Sequence, residues 1–142
     1  MSIYKTVLLI DDDEITNLLN EKIILKHNIA DSVQKFTNAI NALDMLRTIL
    51  FSSSENNFPD LIFLDINMPE MNGWKFLDEL LSIPEMHFNR CKVIMLSSSI
   101  DIVDIQKSIS YNMISNFISK PLTPDKLKSL HDKEKTYFLF EA

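Results

Sequence analysis

Residues 61–73 read Leu-Ile-Phe-Leu-Asp-Ile-Asn-Met-Pro-Glu-Met-Asn-Gly. Four apolar residues run without alternation and stop at a carboxylate, Asp65, which turn-formers follow at once. An unbroken apolar run bounded by turn signals describes a strand covered on both faces, the kind found in parallel sheets flanked by helices. Asp65 then stands at the strand's carboxyl end, and open α/β sheets bind ligands in the crevice just outside those ends. Taken alone, an ordinary acid opening a loop fits this stretch equally well, because Asp is a common turn residue.

The same pattern recurs on both sides of it. Residues 5–10 form a first strand around Val7, Leu8, Leu9 and Ile10, ending in Asp11, Asp12, Asp13 and Glu14. Ile15, Leu18, Leu19 and Ile23 then recur at helical spacing up to about His27. Residues 33–36 read as a brief second strand. Asn38 suits an N-cap, and Ala39, Ala42, Leu43, Leu46 and Leu50 mark one face of a second helix, with a loop over 52–59. Gly73 opens a third helix carrying Trp74, Leu77 and Leu81, and residues 83–89, with Pro84 inside, read as a loop. A fourth apolar run, 93–96, ends in Ser97, Ser98 and Ser99, and Ile102, Ile105 and Ile109 mark a fourth helix. Residues 117–119 make a fifth short strand closed by Lys120-Pro121, and after Pro124 the last helix turns Leu127 and Leu130 inward. Five strand signals alternating with five helix signals predict an α/β fold, a doubly wound five-stranded parallel sheet with five helices.

Composition sets outer limits. A length of 142 residues suits one domain spanning 1–142. An apolar fraction of 46% with 24% charged residues is ordinary for a globular chain and excludes disordered and fibrous classes. Net charge is −6 with no basic cluster, which disfavours direct nucleic-acid binding. No apolar run has the length of a signal-peptide core or a membrane span, so a cytoplasmic chain without membrane association is expected. The single cysteine, Cys91, is expected to be a buried structural thiol.

Right-handed crossovers bring the strand carboxyl ends to one edge. That edge collects Asp11, Asp12, Asp65, Ser97 and Lys120 from four different strands, a convergence that packing does not require. Three crowded carboxylates repel one another unless a cation is present, and hard oxygen ligands suit Mg²⁺. An aspartate can attack a phosphoryl group to give an aspartyl phosphate, with a metal and a lysine offsetting charge on the transferring oxygens. Ser97 is placed to hydrogen-bond a phosphoryl oxygen. Lys120 is either held in the crevice by its following proline or is a surface lysine before a turn.

From residue 5 to about residue 130 the chain resembles a receiver domain of two-component response regulators. The Ile-Asp-Asp-Asp run at 10–13 is similar to that family's acidic pair, residues 64–73 to its phosphoacceptor segment, Ser97 to its switch hydroxyl and Lys120-Pro121 to its lysine-proline pair. The resemblance implies a flavodoxin-like receiver fold and Mg²⁺ held directly by Asp12, with Asp11 acting mainly through water. It makes Asp65 the phosphorylated residue and a metal ligand, gives Asn67 a metal contact through its backbone carbonyl, and puts Phe117 at the aromatic switch position. Family glycines are replaced near Ala39 and Met113, leaving Gly73 as the only glycine. The implied function is a phosphorylation-dependent signalling switch, not an enzyme beyond its own phosphoryl transfer and slow dephosphorylation. A sensor histidine kinase or histidine phosphotransfer protein would donate to it, and the fourth helix, fifth strand and fifth helix would present the changed surface to a downstream protein. The chain is read either as a domain with no output domain after residue 142, whose expected output is altered binding rather than DNA binding or catalysis in cis, or as a segment excised from a longer protein.

Two other classes compete. A phosphohydrolase of the haloacid dehalogenase type would use Asp11 and Asp13 as nucleophile and acid, but Ile15 stands where that family has threonine or valine. A pseudo-receiver would bind without being phosphorylated, against which every site residue is intact. In the tail, residues 137–140 (Tyr-Phe-Leu-Phe) cannot all face one core if helical, since neighbours turn by about 100°. They are expected either to wrap onto the first strand or helix, or to extend the fourth-to-fifth-helix face as a docking or homodimer surface.

Overall fold

The computed structural model describes residues 2–52, 57–99, 101–131 and 137–139, with only the backbone described at 87, 88, 131 and 137–139. Residues 53–56 of the expected loop lie outside the described residues. Five strands form where the apolar runs stand: β1 (Tyr4–Ile10), β2 (Ala30–Phe36), β3 (Leu61–Asp65), β4 (Lys92–Ser97) and β5 (Ile114–Ser119). They pair in parallel in the order β2-β1-β3-β4-β5. Helices α1 (Glu14–Lys26), α2 (Ala39–Phe51), α3 (Gly73–Leu81), α4 (Ile102–Ile109) and α5 (Pro124–Lys128) connect and follow them.

Strand residues alternate between two apolar cores. Leu8, Ile10, Ile62 and Leu64 face the core built with α2 and α3, around Leu46, Phe76 and Leu77. Val7, Leu9, Leu61 and Phe63 face the one that holds Ile24, Leu127 and Leu130. Both faces of β1 and β3 are thus covered, which is why their sequences show no alternation. β2 lies at the sheet edge and is three residues longer than its apolar signal: Ala30 and Ser32 pair with Tyr4 and Thr6 of β1, Ala30 is buried, and the polar Asp31 and Ser32 are exposed.

Three further differences have local causes. The segment expected as loop at 83–89 contains a 3-10 helix, Pro84–Phe88, started by proline at its first position. Helix α1 forms where expected but turned: Ile15, Leu18 and Leu19 are exposed, whereas Asn17, Asn20 and Ile24 are buried. Asn17 accounts for the rotation, since its amide donates to the carbonyls of Asp11 (3.0 Å) and Phe36 (3.1 Å), tying α1 to the ends of β1 and β2. The tail, finally, adds a sixth strand, β6 (Tyr137–Leu139), parallel to β5 in the register Phe117↔Phe138. Aromatic residues favour extended backbone, and β5 presents an edge to them rather than the first strand or helix; Phe140 lies outside the described residues.

Among the described residues, two other than glycine adopt left-handed backbone: Asn28 (φ 54°) after α1, and Glu70 (φ 69°) between β3 and α3. Among the described residues no helix is long and apolar enough to cross a membrane. Cys91 is buried, and burial pushes its thiol pKa far up, as befits an inert structural residue.

Candidate functional site

At the carboxyl ends of β1, β3 and β5, carboxylate oxygens of Asp11, Asp12 and Asp65 all lie within 4.8 Å of one another. Asp11 and Asp65 are buried and Asp12 is exposed, so the cluster opens to solvent on one side. Asp13, the next acid, is spent on structure. It caps α1 by accepting from the Ile15 amide and the Thr16 hydroxyl, both at 3.0 Å. The Thr16 hydrogen bond, then the Ile15 one, holds its carboxyl below the usual range. A hydrolase mechanism with Asp13 as second acid finds that carboxylate committed to the helix end.

Lys120 enters from the opposite side. Its ammonium lies 2.7 Å from Asp11 Oδ2 and 3.3 Å from Asp65 Oδ1, so it is a crevice lysine and not a surface one. Its backbone amide donates to the Ser97 carbonyl (2.8 Å), and the bond to Pro121 is cis. Burial alone would depress the ammonium, but Asp11 and then Asp65 outweigh it and hold its pKa above the ordinary value. Asp65 responds oppositely: burial, then the charge of Asp11, pushes its carboxyl up to about 6 against the pull of Lys120.

Three carboxylates against one ammonium leave an excess of two negative charges when all are ionised, which is what one divalent cation neutralises. All-oxygen donors open to water on one side suit a hard ion that retains its own waters. The residues present therefore fit a divalent metal.

Ser97, buried at the end of β4, donates its hydroxyl to the Ser99 carbonyl (2.5 Å) within its own loop. Asn67 stands exposed two residues beyond Asp65. Phe117 is fully buried in the core shared with α2 and α3, so its ring is already inward. Gly73 closes the loop after β3: its amide donates to the Ile66 carbonyl (2.8 Å), and a Cβ there would lie 2.6 Å from the Asp65 carbonyl oxygen. Backbone approaches this closely only where a side chain is missing.

Sequence reasoning missed the residues that hold this site from behind. Asn17 is one, concealed because a buried asparagine breaks helical apolar periodicity. Another is Trp74, whose indole N–H donates to Asp104 (3.1 Å) under the Lys107 ammonium, 5.1 Å from the ring centre. This link ties α3, which begins beside Asp65, to α4, whose only buried residue is Ser108.

Fold and crevice define a parallel α/β domain with a carboxylate site at its strand ends. The chain belongs to the response regulator receiver domain family, whose model matches residues 7–132. It is similar to a two-component response regulator from Cytophaga hutchinsonii at 35% identity, with 92% of this chain and 96% of that one covered and a TM-score of 0.82. A response regulator receiver protein from Dyadobacter fermentans is 31% identical over 91% of this chain and 96% of its own, with a TM-score of 0.76. The transcriptional regulatory protein DcuR of Escherichia coli is 31% identical over 86% of this chain, but the match spans only 46% of DcuR. The chain thus covers less than half the length of that curated relative. Membership makes this a signalling domain of two-component systems, whose members work with histidine kinases or phosphotransfer proteins.

Proposed function

We propose that Asp65 is the phosphoacceptor of a Mg²⁺-dependent switch made by residues 1–142 as one domain. The observation that carries this reading is the cluster of Asp11, Asp12 and Asp65 bridged by Lys120. Asp11, Asp12, Asp65 and the Asn67 carbonyl would hold the ion, which when bound offsets charge on the phosphoryl oxygens. An Asp65 carboxylate oxygen attacks the phosphorus of a phosphohistidine. An O–P bond forms, the N–P bond breaks, and its electron pair stays on the imidazole nitrogen, which takes up a proton from solvent. Lys120 then has a doubly charged neighbour in place of a carboxylate, and Ser97 leaves the Ser99 carbonyl for a phosphoryl oxygen. Phe117, packed beneath, passes that shift to α4, β5 and α5. Beyond this transfer and slow loss of the group, the domain carries out no chemistry.

The donor docks on α1. Its outward face offers Ile15, Leu18, Leu19 and Leu25, exposed by 68%, 43%, 54% and 42%, starting with Ile15 beside the acidic turn. A cytoplasmic histidine kinase or phosphotransfer protein fits that position. The downstream protein, or a second copy, reads the α4 side, where Ile102, Val103 and Ile109 are exposed.

Incubation with Mg²⁺ and acetyl phosphate, followed by intact mass, tests the reading. A single phosphoryl adduct is expected, absent in Asp65→Asn and nearly absent in Asp12→Ala. Ser97→Ala and Lys120→Ala should still accept phosphate while losing response at α4. Steady turnover that depends on Asp11 would instead mark a hydrolase, and no adduct under any condition a pseudo-receiver.

A further inference from the structure

Lys126 takes no part in the chemistry above, yet it is only 8% exposed. Its ammonium donates to the Ser119 carbonyl (2.7 Å) and the Pro121 carbonyl (3.0 Å). Those two carbonyls flank Lys120 on either side. Lysine heads ordinarily reach for water while their stems lie on apolar surface, and this one is turned the other way, into the β5–α5 turn. The Lys126 backbone amide meets the Thr123 hydroxyl at 3.3 Å, so the residue that grips the turn is itself fixed at the start of α5.

Lys120 needs such support. A lysine stem is long and flexible, so its ammonium is located by what holds its two ends. At one end are Asp11 and Asp65; at the other is the backbone, fixed by the Lys120 amide on Ser97 and by the flanking carbonyls. When Asp65 carries a phosphoryl group and Asp11 faces a metal, the first anchor changes its geometry. The second is built from backbone groups: the Lys120 amide on the Ser97 carbonyl, and the Ser119 and Pro121 carbonyls on Lys126.

We propose that Lys126 is a positioning residue for phosphoryl binding: by holding the Ser119 and Pro121 carbonyls it fixes the place from which Lys120 reaches the group on Asp65. It touches neither the carboxylates nor the incoming group. The inference rests on the reading of Asp65 as acceptor.

Lys126→Met keeps the apolar stem and removes the charge and its donors. Measured under conditions where the variant is folded, Mg²⁺ affinity should stay within about twofold of wild type, because the metal's ligands are untouched. Affinity for beryllofluoride in the presence of Mg²⁺ should fall about tenfold, the size of one charge-assisted hydrogen bond loosened. In a Lys120→Ala background the same substitution should cost nothing more, and Lys126→Arg, which restores the donors, should recover most of the loss. A folded Lys126→Met with wild-type beryllofluoride affinity overturns the proposal, as does an equal loss in both backgrounds, which marks a merely structural role. If Lys126→Met does not fold, Lys126→Gln carries the same comparison. Wild-type protein that fails to bind beryllofluoride removes the reading of Asp65, and this inference with it.

Discussion

Without metal, the acidic crevice should destabilise the domain, and Asp65→Asn measures by how much. The folded-state pKa of Asp65 is about 6 against 3.8 for the free side chain, raised by burial and by Asp11. The folded protein therefore holds the proton more tightly than the unfolded chain does. Stability attributable to this group is greatest below the unfolded value and is lost as pH rises from about 4 through about 6. Two pKa units correspond to roughly 3 kcal/mol as a ceiling, and solvent at the open side of the crevice reduces this to about 1–2 kcal/mol. Asparagine keeps the shape and has no charge to desolvate. Urea unfolding followed by Trp74 fluorescence in a chelator should show Asp65→Asn more stable than wild type by that amount at pH 7.5, with the two converging near pH 4. Added Mg²⁺ should stabilise wild type, by about 1.4 kcal/mol at ten times its Kd, and the variant much less. A variant less stable than wild type at pH 7.5, or a gap that does not change between the two pH values, would refute the electrostatic reasoning.

Gly73→Ala sets two effects against each other. Alanine gains about 1 kcal/mol of helix propensity, while a Cβ 2.6 Å from the Asp65 carbonyl oxygen forces a backbone shift costing about 1–3 kcal/mol. Urea midpoints should fall modestly and phosphoryl acceptance more, because the displaced backbone belongs to Asp65; a variant stable and fully active would contradict the packing. Replacing Ile15 and Leu19 together by serine should change stability by only about 0.5 kcal/mol each. It should slow transfer from a phosphorylated donor protein at least about tenfold with the acetyl phosphate rate unchanged, and parallel losses with both donors would remove α1 as docking face. Trp74→Phe deletes the hydrogen bond to Asp104, worth about 1 kcal/mol. Hydrogen exchange should then quicken in α4 first, and uniform protection would show that the helix is held by other means.

The five-stranded core and four charged positions of the site were legible because their signals are local. Unbroken apolar runs announce strands covered on both faces, and Asp11, Asp12, Asp65 and Lys120 each stand within two residues of the end of one. What lay hidden depends on tertiary partners. The facing of α1 is decided by Asn17 reaching two carbonyls at the ends of strands that sequence spacing cannot bring together, so of the apolar residues at helical spacing Ile15, Leu18 and Leu19 face out and Ile23 packs on the core. β2 extends through polar residues because it is an edge strand, and the tail pairs with β5 because an edge was open there. Lys126 looks like any other lysine on a short helix, since nothing local tells a reader that its head turns inward.

Having one glycine in 142 residues also changes the state from which this domain folds. Each glycine replaced by a residue with a side chain narrows the unfolded ensemble by about 0.4–1 kcal/mol of conformational entropy where the native backbone permits it. This chain has taken that saving almost everywhere. It gives part of it back at Asn28 and Glu70, where left-handed backbone without glycine costs about 1 kcal/mol or more each. Asparagine tolerates that conformation through local hydrogen bonding, but glutamate has no such relief, so Glu70 stays in place only through its neighbours. The loop leaving Asp65 is thus held by the folded domain and not by its own preference, and partial unfolding should release it early.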